Sequence, residues 1–93
     1  MMTDILEQNW EPSRDAVESR VGDETVILHL TNGTYYGLDA VGTRIWALLK
    51  EGSQPTEICA RIAEEYDVAP NIAEADARRF LEDLKSNGII EEA

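Results

Sequence analysis

The chain carries one cysteine, one histidine and three prolines in 93 residues, and 8 basic side chains against 19 acidic ones. A single cysteine, Cys59, excludes an internal disulfide and suits a reducing cytoplasm. The lone His29 has no cysteine near it in sequence, so no metal site is expected. A net charge of −11 repels phosphate backbones, which counts against nucleic acid and favours basic partners. No apolar run approaches the roughly 20 residues that cross a bilayer, so no membrane is expected. The start, Met1-Met2-Thr3-Asp4, lacks the basic region and apolar block of a secretory signal, and the expected location is cytoplasmic. No nucleophile–base pattern, glycine-rich phosphate loop or paired catalytic carboxylate stands out. Neither catalysis by this chain nor a cofactor is therefore expected.

What is present reads as one soluble domain of 43% hydrophobic composition. Residues 1–14, with Trp10 and Pro12 among polar neighbours, read as an N-terminal arm or an edge segment. Residues 15–93 read as a single domain. Its first half suggests three short strands, at 16–21, 24–31 and 34–38, with Gly22-Asp23 and Asn32-Gly33 as turns. Asn32-Gly33 matches a type I′ turn, whose two central residues both need positive φ. On the middle strand Val26, Leu28 and Leu30 share one face, and Ile27, His29 and Thr31 the other. The first set either lines a groove or fills the core.

Helical periodicity follows. Asp39 is a natural N-cap for a helix over 40–50, with Val41, Ile45, Leu48 and Leu49 on one stripe and Trp46 beside it as core. Gly52 fits its stop, and Pro55 opens a second helix over 55–66 on which Ile58, Ile62 and Tyr66 are apolar. Cys59 beside that stripe reads as a small buried hydrophobe. Asn71 can cap a third helix over 72–87 with Ala73, Ala77, Phe80, Leu81 and Leu84 toward the core, and Ile89-Ile90 return as a short apolar segment. The class is α+β and winged helix-turn-helix-like: a three-stranded antiparallel sheet on the N-terminal side, then three helices. DNA binding is the obvious function of such a fold. Yet the third helix sets Glu74, Asp76, Glu82 and Asp83 against Arg78, Arg79 and Lys85, without the basic excess that a groove-reading helix carries.

The segment Thr34-Tyr35-Tyr36-Gly37-Leu38-Asp39-Ala40-Val41-Gly42-Thr43-Arg44-Ile45-Trp46 resembles the hallmark of the PqqD-like family, the RiPP recognition elements of ribosomal peptide biosynthesis. Glu57-Ile58-Cys59-Ala60-Arg61-Ile62-Ala63-Glu64-Glu65-Tyr66-Asp67-Val68 resembles its second helix. Phe80-Leu81-Glu82-Asp83-Leu84 followed by Gly88-Ile89-Ile90 resembles its ending. The order and spacing of these patterns extend over about residues 16–90.

The resemblance implies a peptide-binding adaptor. Family members take the leader part of a precursor peptide as an extra strand beside the third strand, in a groove that the third helix flanks. They present the core part to a modifying enzyme. The residues present are compatible with that role. An edge strand over 34–38 offers unpaired backbone groups, and side-chain pockets add specificity. Gly37 lets a second backbone approach, and of Tyr35 and Tyr36 one faces inward while the other shapes the groove. The expected peptide-binding residues are Leu28, Leu30, Thr34, Tyr35, Tyr36 and Gly37, with Asp76, Arg79, Phe80 and Asp83 on one flank of the third helix. The other flank carries Glu74, Arg78 and Lys85, and the sequence leaves the helix rotation open. The Tyr-Tyr and Ile-Trp pattern looks closer to the free-standing leader-binding proteins of lasso peptide pathways than to the protein of pyrroloquinoline quinone synthesis. The former implies a leader-cleaving cysteine protease and an ATP-dependent cyclase as partners, and the latter a radical S-adenosylmethionine enzyme. Lasso-type proteins often have Leu-Asn where this chain has Leu38-Asp39. An exposed edge strand could also pair with its own copy, giving a homodimer.

Overall fold

The computed structural model describes residues 4–93. A short 3-10 turn, Ile5–Glu7, leads into β1 (Trp10–Pro12), β2 (Ala16–Val21), β3 (Glu24–His29) and β4 (Tyr35–Leu38). Three helices follow, α1 (Ala40–Lys50), α2 (Pro55–Glu65) and α3 (Pro70–Ser86), and a last strand, β5 (Ile90–Glu92). The antiparallel sheet has the order β2-β3-β4, and its helices come after it in the chain, as the sequence predicts. A second, two-stranded sheet pairs β1 with β5, Trp10 opposite Glu92 and Pro12 opposite Ile90.

That small sheet gives residues 4–14 a structural part. The 3-10 turn buries Ile5 and Leu6, and Trp10 is buried with its indole N–H donating to the Ile5 carbonyl at 2.8 Å. All three join the same core cluster as the helices. The Ile89-Ile90 segment reaches β1 because β5 begins at Ile90.

The two hairpins are closed differently from each other. Gly22-Asp23 makes a two-residue turn with Val21 opposite Glu24; only Gly22 has positive φ, at 66°, as a type II′ turn requires. The second connection is not the type I′ turn that Asn32-Gly33 predicts. Gly33 has φ 71°, but Asn32 does not share positive φ. Instead β3 ends at His29, two residues before the expected Thr31, and residues 30–34 form the connection. The reason is local hydrogen bonding. Leu30 N–H donates to the Asp15 carbonyl, the Thr31 hydroxyl to the Asp15 carboxylate, and the Asn32 side chain accepts from Thr34 N–H. Side chain and loop contacts satisfy this backbone in place of a longer ladder.

All three helices stop in one way. The N–H groups of Ser53, Val68 and Ile89 return to the carbonyls of Leu48, Ala63 and Leu84, the six-to-one bond of a Schellman motif. Each motif needs a left-handed residue, here Gly52 (φ 87°), Asp67 (φ 51°) and Gly88 (φ 71°). At their starts, Asp39 caps α1 by accepting from Gly42 N–H at 2.8 Å, and Pro55 opens α2. α3 begins two residues earlier than expected: Pro70, not the residue after Asn71, takes its first position, and Ala69 rather than Asn71 is the N-cap. Proline there loses no hydrogen bond, so it starts the helix one residue ahead of the expected cap.

The helices cover one face of the sheet. Thr25, Ile27 and His29 of β3 and Leu38 of β4 are buried on that face, with Tyr36 packed at its margin. Val26 and Leu28 face out, so the question left open by alternation is answered against a core role. The Arg44 guanidinium grips Glu65 at 2.8 Å through both oxygens and ties α1 to α2. Arg78 of α3 holds Asp4 at 2.8 Å.

Three outcomes follow from this packing. Leu81→Ala, at a fully buried site, lowers unfolding free energy by about 2–5 kcal/mol in urea titration. Asp67→Gly raises it by roughly 0.5–1 kcal/mol, because glycine accepts the left-handed conformation without its Cβ penalty. Arg44 holds Glu65 below its ordinary value of 4.5. A carboxylate lowered on folding stabilises above its unfolded value and loses that contribution as pH falls through its folded one. The stability difference between wild type and Glu65→Gln therefore shrinks below about pH 4.5, read from melts across pH 3–7.

Candidate functional site

Among the described residues, β4 is hydrogen-bonded on one side only, to β3. His29 N–H donates to the Thr34 carbonyl at 2.9 Å, which marks that pair as hydrogen-bonded in the ladder. Bonded and non-bonded pairs alternate in antiparallel strands. With Ile27 opposite Tyr36 and Leu28 opposite Tyr35, Tyr36 and Leu38 turn their backbone groups toward β3. Tyr35 and Gly37 turn theirs to the open edge. A Cβ built on Gly37 would meet nothing within 4 Å, so this part of the edge is unobstructed.

The helices bring further groups to the inner side of that edge. Asp76, Arg79, Phe80 and Asp83 of α3 join Asp39 and the start of α1, Val41, Gly42 and Ile45, around a groove of about 300 Å³. Its floor is apolar, from Val41, Ile45 and the half-buried Phe80. Gly42 is needed there: a Cβ at that position would stand 3.2 Å from Phe80 Cε1. Three carboxylates rim the groove against one guanidinium, and Arg79 already donates to Asp76 at 3.0 Å. Burial, and then the nearby Asp83 carboxylate, push the Tyr36 phenol above its ordinary value of 10. Tyr36 thus stays a neutral hydrogen-bond donor at the groove's margin.

The opposite flank of α3 is occupied by the protein itself. Arg78 bonds Asp4 and Glu74, and Lys85 Nζ lies 5.5 Å over the Trp10 ring. A larger depression of about 790 Å³ lies on that side, lined by Asp4, Gln8, Arg78, Glu82 and Lys85 among others. The Asp4–Arg78 ion pair stands in its wall, and no residue of β4 lines it, so volume is a poor guide to the site here.

The residues expected from sequence separate by face. Tyr36 goes inward and Tyr35 outward, 70% exposed. Leu28 lies opposite Tyr35 on the outer face of the sheet, and Thr34 is exposed just before β4. Leu30, 58% exposed, sits in the loop and is not brought to the groove. Asp39, Val41, Gly42 and Ile45 line the groove but were not expected there. The one signal for them was a glycine in the first turn of an otherwise well-patterned helix, where close packing is the usual cause. Burial pushes the Cys59 thiol above its ordinary value, which suits an unreactive side chain. Among the described residues no group of three or more His, Cys, Asp or Glu could hold a metal, and no helix is long and apolar enough to cross a membrane.

An open strand edge beside a helix-flanked groove is the build of proteins that accept an extended peptide as an added strand. Two solved structures share this fold. TbiB1 in complex with the TbiA(beta) leader peptide is 47% identical, with a TM-score of 0.83 over 87% of this chain and 94% of that one. Lasso peptide synthetase B1 complexed with the leader peptide is 23% identical, also at 0.83, over 89% and 98%, and shows the shared fold. No curated protein sequence matches. The profile of the family described as Coenzyme PQQ synthesis protein D (PqqD) matches residues 24–90, and the chain belongs to that family.

Because the Asp83 charge adds to burial in raising the Tyr36 phenol, Asp83→Asn moves its titration downward while burial still holds it above the ordinary value. NMR titration of the tyrosine ring resonances reads this, and an unmoved Tyr36 curve refutes the proximity argument.

Proposed function

We propose that this chain is a non-catalytic adaptor that binds the leader segment of a ribosomally made precursor peptide and delivers it to modifying enzymes. The observation that carries the reading is the open β4 edge, with Tyr35 and Gly37 backbone groups free beside the Asp39–Asp76–Phe80–Asp83 groove. The leader adds as a strand to β4. Its side chains alternate, one set entering the groove and the other passing Tyr35 and Leu28 on the outer face. Likeness to TbiB1, solved with a leader peptide, supports a lasso-type pathway over a quinone-type one. The enzymes served are then a leader-cleaving cysteine protease and an ATP-dependent cyclase, in the cytoplasm.

Magnitudes assign the parts their work. Two donors and two acceptors at the edge contribute about 0.5–1.5 kcal/mol net each, roughly 2–6 kcal/mol together. Micromolar affinity needs about 8 kcal/mol after ordering a flexible peptide. The groove must supply the difference, through an apolar anchor over Val41, Ile45 and Phe80 and a basic residue beside Asp76 or Asp83. A DNA-binding role gains no support, because Arg78 and Arg79 of α3 are already engaged by carboxylates.

Titration of a fluorescent leader peptide, from a precursor encoded beside this protein, gives saturable binding that a scrambled leader lacks. Alanine at Phe80, Asp76 or Asp83 weakens it by about 1–3 kcal/mol at an anchoring position. Gly37→Pro removes an edge donor without touching the β3 ladder and weakens binding by about 0.5–1.5 kcal/mol. Absence of binding to any neighbouring short peptide overturns the reading, and losses under about 0.5 kcal/mol at all of these positions overturn the site.

A further inference from the structure

The outer face of the β2-β3-β4 sheet is not the solvated face that an antiparallel sheet ordinarily presents. By register, its outward positions are Val17, Ser19 and Val21 on β2, Glu24, Val26 and Leu28 on β3, and Tyr35 and Gly37 on β4. Only one of these is charged. The charged side chains of β2 go to the other face, where Glu18 meets Lys50 of α1. Val17 is 47% exposed, Val21 62% and Tyr35 70%, and Leu30 adds to the patch from the loop. Their exposed apolar surface is on the order of 500 Å², at the upper end of what a monomer leaves uncovered without a use for it.

We infer that this face docks the protein that acts on the bound peptide, through an apolar surface on that partner set among basic residues. The inference rests on the adaptor function proposed above. The peptide itself does not cover the patch. Strands lie about 4.8 Å apart, so a strand added at β4 runs roughly 14 Å from β2, and Val17 and Val21 stay open. The added strand instead widens the face with its own outward side chains. A second copy is a poor occupant. Each chain carries −11, and the patch falls short of the roughly 800 Å² per partner of a stable interface. Asp15 at one end of the patch and Asp23 and Glu24 at the other add local negative charge. A partner with lysine and arginine around an apolar centre is attracted by that rim and held by the centre, as a transient complex requires. Peptide and enzyme are then bound on adjoining surfaces of one small sheet.

The test uses the full chain, its leader peptide, and the purified leader protease and cyclase encoded beside it. Interferometry measures binding of each enzyme to the leader-loaded protein, for wild type, for the Val17→Glu/Val21→Glu double variant and for the milder Val17→Thr/Val21→Thr, which keeps strand propensity. We expect at least one enzyme to bind wild type, with an association rate that falls as salt rises. The glutamate variant weakens this tenfold or more and the threonine variant less, while leader affinity in both stays within twofold of wild type. Enzyme binding unchanged by both variants overturns the inference, as does failure of both enzymes to bind wild type that still binds its leader. A wild-type dimer in sedimentation that the variants dissociate also overturns it, in favour of a second copy. Failure of wild type to bind the leader is instead a failure of the adaptor function.

Discussion

The candidate site depends on the burial of one stripe of α3. Ala73, Ala77, Leu81 and Leu84 are almost wholly buried, and their seating sets the rotation of the helix about its axis. With that stripe down, Asp76, Arg79, Phe80 and Asp83 come to one side, toward α1 and Tyr36. Glu74, Arg78 and Lys85 come to the other, toward residues 4–10. Hydrophobic burial is non-directional, but on a helix it acts through a fixed 100° per residue, so it orients the polar flanks as a by-product. The surface ion pairs then hold little energy individually. Their value here is to occupy the flank that is not the groove.

An open strand edge is normally a liability that a protein blunts with charge, proline or a cover. β4 has none of these within Tyr35–Leu38, and its glycine leaves the approach clear. Retaining such an edge is consistent with a function that uses it. The chain's −11 charge limits indiscriminate pairing between copies while leaving a peptide of opposite charge free to enter. The same logic extends to the apolar outer face. Two features that would each be a hazard in an ordinary small domain are placed side by side on one sheet, while the opposite face carries the core.

Family membership and the two solved relatives agree with the order of motifs seen in the sequence. The motif over Thr34 to Trp46 now has a physical explanation beyond its pattern. Tyr36 and Leu38 are the inward residues of β4, Asp39 caps α1, Gly42 admits Phe80, and Ile45 and Trp46 pack beneath the sheet. Consecutive residues thus serve the edge, the cap, the groove and the core. Such density of roles makes a segment recognisable without any single residue being diagnostic.

The sequence by itself determined what depends on near neighbours. Strand alternation, the Asp39 cap, the helix stops near Gly52, Asp67 and Gly88, and the family pattern are all read within a few residues. Where local signals competed, it misled: Asn32-Gly33 lost to contacts that Leu30 and Thr31 make with Asp15, some 15 positions away. The tertiary structure decided which face of β3 is core, which flank of α3 meets the groove, and how residues 4–14 enter the fold. Alternation in β3 makes Val26 and Leu28 the more apolar face, yet Thr25, Ile27 and His29 are the buried ones, and only packing under the helices decides this. The flank of α3 away from the groove is occupied by the Arg78–Asp4 pair, whose partners lie 74 residues apart. β1 needs β5 as its partner, from the far end of the described chain. Contacts of that range have no periodicity to read, because they follow from the summed burial of the whole core rather than from any local preference.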